Sequence, residues 1–289
     1  MKSFIFKTLI ANRIHERVRG GFRIAKFLVR DMDSVPIQID GYAPLYVDLR
    51  NLDAHALSLH LAAPLHEVPH EQALTEVFQR IVQPSDTVFD VGANLGLHTL
   101  TFSKLAREVI AFEPNPSLAP NLRKTVVNLP NARLLEVCLS EHDGIVEFHI
   151  SDWDHMLGSM ANWTGQPTKT LAIPARSIDS LIAEGALPKP QVLKVDVEGA
   201  EMMVFRGADK LFSEPDAPRA VVFEELNTAS RKLGVPDGAP AEYLRTKGYS
   251  LYLIDKDGLS PLSDVRPTAA NLVAAKDDLI GLTRPFNFT

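Results

Sequence analysis

Apolar positions along this 289-residue chain gather into short continuous runs, and the stretches between them carry apolar residues at helical spacing. The runs predict strands near 87–91, 108–113, 133–138, 191–196, 219–225 and 249–255. The intervening segments predict helices near 95–106, 116–128, 177–184, 198–212 and 238–247. Strand and helix alternate, which is the signature of an α/β domain with a mostly parallel sheet. One interval departs from this. Gly144 to Ser151 alternates apolar and polar residues, and Thr170 to Pro174 is placed to pair with it, so a hairpin-like insertion follows the third strand. The chain has no internal repeat and no low-complexity tract.

The first strand–turn–helix carries chemistry. Asp86 to Thr99 reads DTVFDVGANLGLHT, and the next strand, Val109 to Phe112, ends directly in Glu113. Gly92 and Gly96 leave room for a ligand to lie against the backbone. A carboxylate at the tip of the second strand can accept hydrogen bonds from both hydroxyls of a ribose. The unit therefore predicts an adenosine-type ligand. A dinucleotide fingerprint would need glycine at three positions held here by Gly92, Asn94 and Leu97, and two are missing. The spacing suits a ligand without a pyrophosphate, such as S-adenosylmethionine, with Asp90 and Asn94 as polar partners for its zwitterionic tail. Cofactor binding is accordingly expected at Asp90, Gly92, Asn94, Gly96 and Glu113.

A second constellation follows. Leu193 to Phe212 reads LKVDVEGAEMMVFRGADKLF, another strand ending in an acid and leading into an amphipathic helix. Together with FDVGANLGLHT, AFEPNP, AVVFEEL and KGYSLYLID it resembles the FkbM family of S-adenosylmethionine-dependent methyltransferases, over about Ile37 to Asp255. The resemblance implies a Rossmann-like class I methyltransferase fold: a doubly wound, mostly parallel sheet with a small N-terminal accessory segment. It also implies S-adenosylmethionine as cofactor and O-methylation of a hydroxyl on a small-molecule or glycan acceptor, such as a sugar or natural product. Asp196, at the tip of the fourth strand, faces the cofactor crevice by topology, where it can contact the cofactor or orient the acceptor. Asp196 and Glu198 are the catalytic candidates, and Asp196 is also a cofactor-binding candidate. Glu201 stands at a helix start, where the dipole favours a carboxylate. Glu224 and Glu225 end the fifth strand at the same rim; a divalent metal shared by Asp196 and Glu224 is conceivable there, but no metal is assigned. The alternative reading is a catalytically silent methyltransferase-like scaffold, against which the intact cofactor set argues.

Composition narrows the remaining classes. The net charge of −6 argues against a nucleic-acid partner. A single cysteine, Cys138, excludes an intrachain disulfide and is compatible with a reducing compartment. No apolar run approaches the ~20 residues of a membrane span, and no secretory signal is evident, so a cytoplasmic location is expected. Charge is uneven, however: residues 1–30 hold eight Lys or Arg against Glu16 alone, a net of +7, leaving −13 for the rest. Residues 1–75 are read as this basic helical arm plus an accessory segment, and 76–289 as the cofactor-binding domain. The arm would pack on the core or on a second subunit in a homo-oligomer; the sharper alternative is peripheral contact with an anionic membrane on the inner face. His66-Glu67-Val68-Pro69-His70 matches the zinc-protease motif literally, but Pro69 would interrupt the helix that motif requires. Finally, Asp152 to Trp163 holds both tryptophans among Asp, Asn and His, a composition suited to sugar binding.

Overall fold

A computed structural model describes residues 24, 27–39, 41–50, 69–151, 158–163, 165–255, 258–263, 268–277 and 279. Most of the basic arm and Trp153 lie outside them. Two short strands, β1 (Val35–Ile37) and β2 (Leu45–Val47), come first and pair antiparallel. The helix α1 (Pro69–Ile81) follows. The α/β core then runs β3 (Thr87–Val91), α2 (Leu97–Leu105), β4 (Glu108–Phe112), α3 (Ala119–Val126) and β5 (Ala132–Leu135). The insertion comprises β6 (Cys138–Leu139), β7 (Gly144–Ser151), β8 (Gly158–Ser159) and β9 (Thr168–Arg176). The core resumes with α4 (Ile178–Ala183), β10 (Val192–Val195), α5 (Glu201–Arg206), α6 (Asp209–Ser213) and β11 (Ala220–Leu226). The last elements are α7 (Asn227–Ser230), α8 (Ala239–Thr246), β12 (Ser250–Asp255), β13 (Gly258–Pro261) and β14 (Ala269–Ala275).

The main sheet has eight strands in the order β13-β12-β14-β11-β10-β3-β4-β5. The five from β11 to β5 are parallel, and β14 enters antiparallel between β11 and β12. This is the Rossmann-like, doubly wound architecture expected. The chain winds outward one way from β3 through β4 to β5, and the other way from β10 to β11, so the topological switch lies between β3 and β10. In such sheets the crevice beyond the carboxyl ends of the strands at the switch is where ligands bind.

The inner strands β3, β4, β10 and β11 are buried on both faces, which explains their continuous apolar runs. Phe89, Val91, Leu193, Val195 and Phe223 pack with α4, α5, α6 and α8 on one side. Val88, Val109, Val192 and Val222 pack with α1 and Phe102 of α2 on the other. Aromatic edges tie each layer: Phe78 meets Phe102 with ring centroids 4.5 Å apart, and Phe205 meets both Phe212 and Phe223.

Several expectations shift at tertiary contacts. The strand expected over 133–138 divides, because Cys138 and Leu139 leave the main sheet to pair parallel with β9. The hairpin forms as expected and extends, with Gly144 opposite Ala175 and Ser151 opposite Thr168. The helix expected over 198–212 starts late, since Glu198 (φ 54°) and Gly199 (φ 93°) are left-handed. It also breaks at Gly207, where a Cβ would stand 2.1 Å from the Ser140 carbonyl oxygen. The boundary expected between residues 75 and 76 falls inside α1, whose Leu74, Val77 and Phe78 belong to the main core. Val29, Ile37, Leu45 and Val47 share a core with Leu97, Leu100 and Leu118, so the described part of the N-terminal segment packs on the α/β unit. Pro69 is the first residue of α1, where the missing N–H costs nothing; His66 to Val68 lie outside the described residues.

The Gly207 contact supplies a test of the packing. Gly207→Ala is expected to destabilise the protein by about 1–3 kcal/mol, the cost of overpacking, because the Ser140 backbone must give way. Its φ of −69° is ordinary, so space alone is at issue. An unchanged midpoint in urea denaturation would mean that the 140 turn yields freely.

Candidate active site

The cleft at the switch point opens beyond the carboxyl ends of β3, β4 and β10, where small-molecule sites of such sheets lie. Its floor is the turn after β3, through Gly92 and Asn94, and the start of the loop after β10, through Asp196, Val197 and Glu198. Glu113, Pro114 and Asn115, after β4, form one wall. Val137, Cys138, Phe148 and Met160 add an apolar wall from the insertion and the chain entering it.

Gly92 is required by the neighbouring strand. It sits at φ 75°, and a Cβ there would lie 1.9 Å from the carbonyl oxygen of Asp196. Its absent side chain thus lets the β3 and β10 loops touch. Gly96 (φ 92°) does not line the cleft; a Cβ there would meet Leu122 of α3 at 2.7 Å, so helix packing accounts for this glycine. Asp90 is also absent from the lining. It is fully buried on the α1/α2 face, accepts a hydrogen bond from Thr99 Oγ1 at 2.6 Å, and lies 3.4 Å from Lys194 Nζ. Of the residues expected to bind cofactor, then, Gly92, Asn94, Glu113 and Asp196 line the cleft, while Asp90 is buried beneath the Gly92 turn and Gly96 serves the packing of α2 against α3.

Glu113 is 5% exposed and accepts two backbone bonds at 2.8 Å, from Asn94 N and Asn115 N. The carboxylate so fixes the β3 turn against the β4 loop, and its remaining lone pairs can accept further donors. Burial pushes its pKa up to about 7, with those two bonds and Lys194 pulling the other way. Burial likewise lifts Glu198 to about 8, aided by Asp196, Glu224 and Glu201. Glu201 is wholly enclosed and accepts from Val197 N and Gly199 N at 3.1 Å, which shapes the loop that carries Glu198. Burial raises its pKa to about 8 as well. The Glu198 carbonyl accepts from Ser159 Oγ at 2.8 Å, tying this loop to the insertion. Cys138 lines the cleft, but burial pushes its thiol up to about 12, which leaves it unreactive.

Asp196, Glu198 and Glu224 bring carboxylate oxygens within 4.8 Å of one another, an arrangement able to share a proton or hold a cation. Three contributors went unread in the sequence: Lys194, Asn115 and the Phe148–Met160 wall. Lys194 carried a signal, as a charged residue inside the apolar run Val192 to Val195. The wall had none, since it depends on how the insertion folds back. Trp163 is half-buried and does not line the cleft.

Comparison with known proteins accords with this geometry. Residues 90–251, over half the chain, match the model of the methyltransferase FkbM domain. The chain belongs to the FkbM methyltransferase family, whose methyl donor is S-adenosylmethionine. A hexuronic acid methyltransferase, AglP of Haloferax volcanii, is 32% identical over 146 residues, covering 50% of this chain and 58% of that protein. The 2-O-methyltransferase NoeI of Sinorhizobium fredii is 25% identical over 158 residues, 48% of this chain and 64% of that protein. The matches thus span about three-fifths of the length of these relatives. Among solved structures, a methyltransferase FkbM from Methylobacillus flagellatus aligns with TM-score 0.45 at 16% identity, over 77% of this chain and 55% of that one. No helix among the described residues is long and apolar enough to cross a membrane.

The buried carboxyls set a pH dependence. A carboxyl whose folded pKa exceeds its unfolded value gives stability that is complete below the unfolded pKa and is lost as pH rises through the folded one. With Glu113 near 7 and Glu198 and Glu201 near 8, all raised from 4.5, the unliganded protein should lose melting temperature as pH rises from about 5 to about 8. Glu201→Gln should flatten that decline, as followed by differential scanning calorimetry. A wild-type melting temperature that holds level or rises over this range would contradict the assignment.

Proposed function

We propose that the chain transfers a methyl group from S-adenosylmethionine to a hydroxyl of a sugar-like acceptor. The observation that carries this reading is the pairing, across one cleft, of a buried carboxyl at Glu113 with the carboxylate rim of Asp196, Glu198 and Glu224. The residues fit the donor. Glu113 offers lone pairs to the ribose hydroxyls, Gly92 and Asn94 offer backbone at close approach, and Phe148, Val137 and Met160 offer an apolar wall. Asp196, with its side chain 40% exposed at the cleft, would hold the ammonium of the methionine tail or orient the acceptor. Membership of the FkbM family supports the methyl-transfer activity, and the two named relatives, a hexuronic acid methyltransferase and a 2-O-methyltransferase, support an oxygen acceptor on a sugar.

Bound in the cleft, S-adenosylmethionine supplies a methyl group already activated by its positive sulfur. The protein's part is to position the acceptor and take its proton. Glu198 suits the second task. A carboxylate pushed to about 8 by burial and by three neighbouring acids is a stronger proton acceptor than one in water. Glu198 would take the proton of the acceptor hydroxyl as the methyl group leaves the sulfur for that oxygen, and Asp196 and Glu224 favour the neutral form of Glu198 by opposing its negative charge.

Mass spectrometry of sugar, glycolipid and peptide panels incubated with isotopically labelled S-adenosylmethionine tests the reading directly; label only on nitrogen would overturn it. With an acceptor in hand, the rate should rise with pH to a plateau above about 8, and Glu198→Gln should lower kcat by about 10²–10⁴ with cofactor affinity retained. A Gln variant with wild-type kcat would remove Glu198 from the chemistry. Glu113→Gln should weaken S-adenosylmethionine binding by about 1.5–3 kcal/mol in calorimetry. Undiminished affinity would take Glu113 out of the cofactor site.

A further inference from the structure

One charged group in the core reaches both halves of the cleft. Lys194 lies on β10 opposite Asp90 of β3, and its side chain is 6% exposed. Its Nζ donates to the carbonyl oxygen of Gly92 at 2.9 Å, and stands 3.4 Å from Asp90 Oδ1 and 3.3 Å from Asp196 Oδ2. Burying an ammonium costs several kcal/mol unless it is paired and hydrogen-bonded. Neutralising Asp90 would require one contact. Lys194 makes two more, and both are with the backbone and side chain of the cleft floor.

We propose that Lys194 is a positioning residue for the methyl-transfer site, fastening the Gly92 turn to Asp196 so that the cofactor-side and acceptor-side loops keep one separation. The proposal rests on the assignment of the cleft to S-adenosylmethionine. Gly92 has no side chain with which to brace itself, and a Cβ would collide with the Asp196 carbonyl. An ammonium contributed from β10 therefore holds the turn from below. Thr99 of α2 keeps Asp90 in place through its hydroxyl, which leaves the Lys194 contact to the other carboxylate oxygen.

Lys194 also sets charge. The ionisable groups around it are Asp90 on β3, Asp196 at the end of β10, Glu113 beyond β4, and Glu198 beyond β10, with Glu201 and, on β11, Glu224 acting on Glu198 in turn. Its positive charge favours the ionised forms of both Glu113 and Glu198. Without it, Glu113 would stay protonated to higher pH and accept ribose hydroxyls less well.

Removing Lys194 alone strands the buried Asp90 carboxylate and can unfold the protein, so the test compares two variants that both lack that charge. These are Asp90→Asn, and Asp90→Asn combined with Lys194→Met, which keeps the side-chain length. S-adenosylmethionine affinity is measured by calorimetry from pH 6 to 9, and thermal melting checks that both fold. Lys194 as a positioning residue predicts that the double variant binds at least tenfold more weakly than Asp90→Asn, and that the pH midpoint of its binding moves upward. Affinities within twofold and an unmoved midpoint would mean that Lys194 serves only to neutralise Asp90, and would overturn the proposal. A wild-type protein that fails to bind S-adenosylmethionine would instead refute the assignment of the cleft.

Discussion

The site depends on the register of two strands that are adjacent in space and about a hundred residues apart in the chain. Asp90 faces Lys194 and Val91 faces Val195 across the β3–β10 pair, so the two strands end level and their loops open into one cleft. The Gln191 side chain accepts from Thr87 N at 2.8 Å at the opposite end, which pins the same register from below. A slip of one residue would turn Lys194 toward the layer of α5 and α8 and send Leu193 toward Asp90. Gly92 then completes the junction, because only a residue without Cβ lets the turn rest against the Asp196 carbonyl.

Above that junction the protein concentrates acid. Glu113, Glu198 and Glu201 are held in surroundings that disfavour their charge, and Lys194 is the cation that opposes this at Glu113 and Glu198. Stability and ligand recognition are therefore opposed here. Carboxyls that would be comfortable in water are enclosed where they can meet hydroxyls and cationic groups of a ligand. Glu113 and Glu201 each also fold a loop by accepting two backbone N–H groups, so part of the cost is recovered in local structure.

The insertion gives the cleft its second side. β6 pairs parallel with β9, which pairs with β7, and this small sheet brings Phe148, Gly158 and Met160 over the carboxyl ends of the main strands. Ser159 joins it to the Glu198 carbonyl. A side chain at Gly158 would meet the Phe148 ring at 2.7 Å, so the wall is closely fitted. Movement of the insertion would reach the left-handed Glu198 directly, which couples the apolar wall to the acidic rim.

The local code of the sequence was sufficient for the core α/β elements. Strands β3, β4, β10, β11 and β12 are short apolar runs because both sheet faces are buried, and that pattern is visible without coordinates. Glu113 and Asp196 were legible for the same reason: an acid directly after an apolar strand must stand at the edge of the sheet. Strand β14 was not legible, since AANLVAA has weak strand propensity and becomes a strand by pairing with β11 and β12 on its two sides. Nor were the roles of Gly96, Gly207 and Lys194. A glycine that makes room for a ligand and one that makes room for Leu122 or Ser140 read alike in sequence, and a lysine in an apolar run does not disclose which carbonyl it will reach. Sequence determined the apolar strands of the parallel core and which acids reach their tips; only the tertiary structure, through contacts between residues far apart in the chain, decided that β14 forms, where elements divide, and what each residue touches.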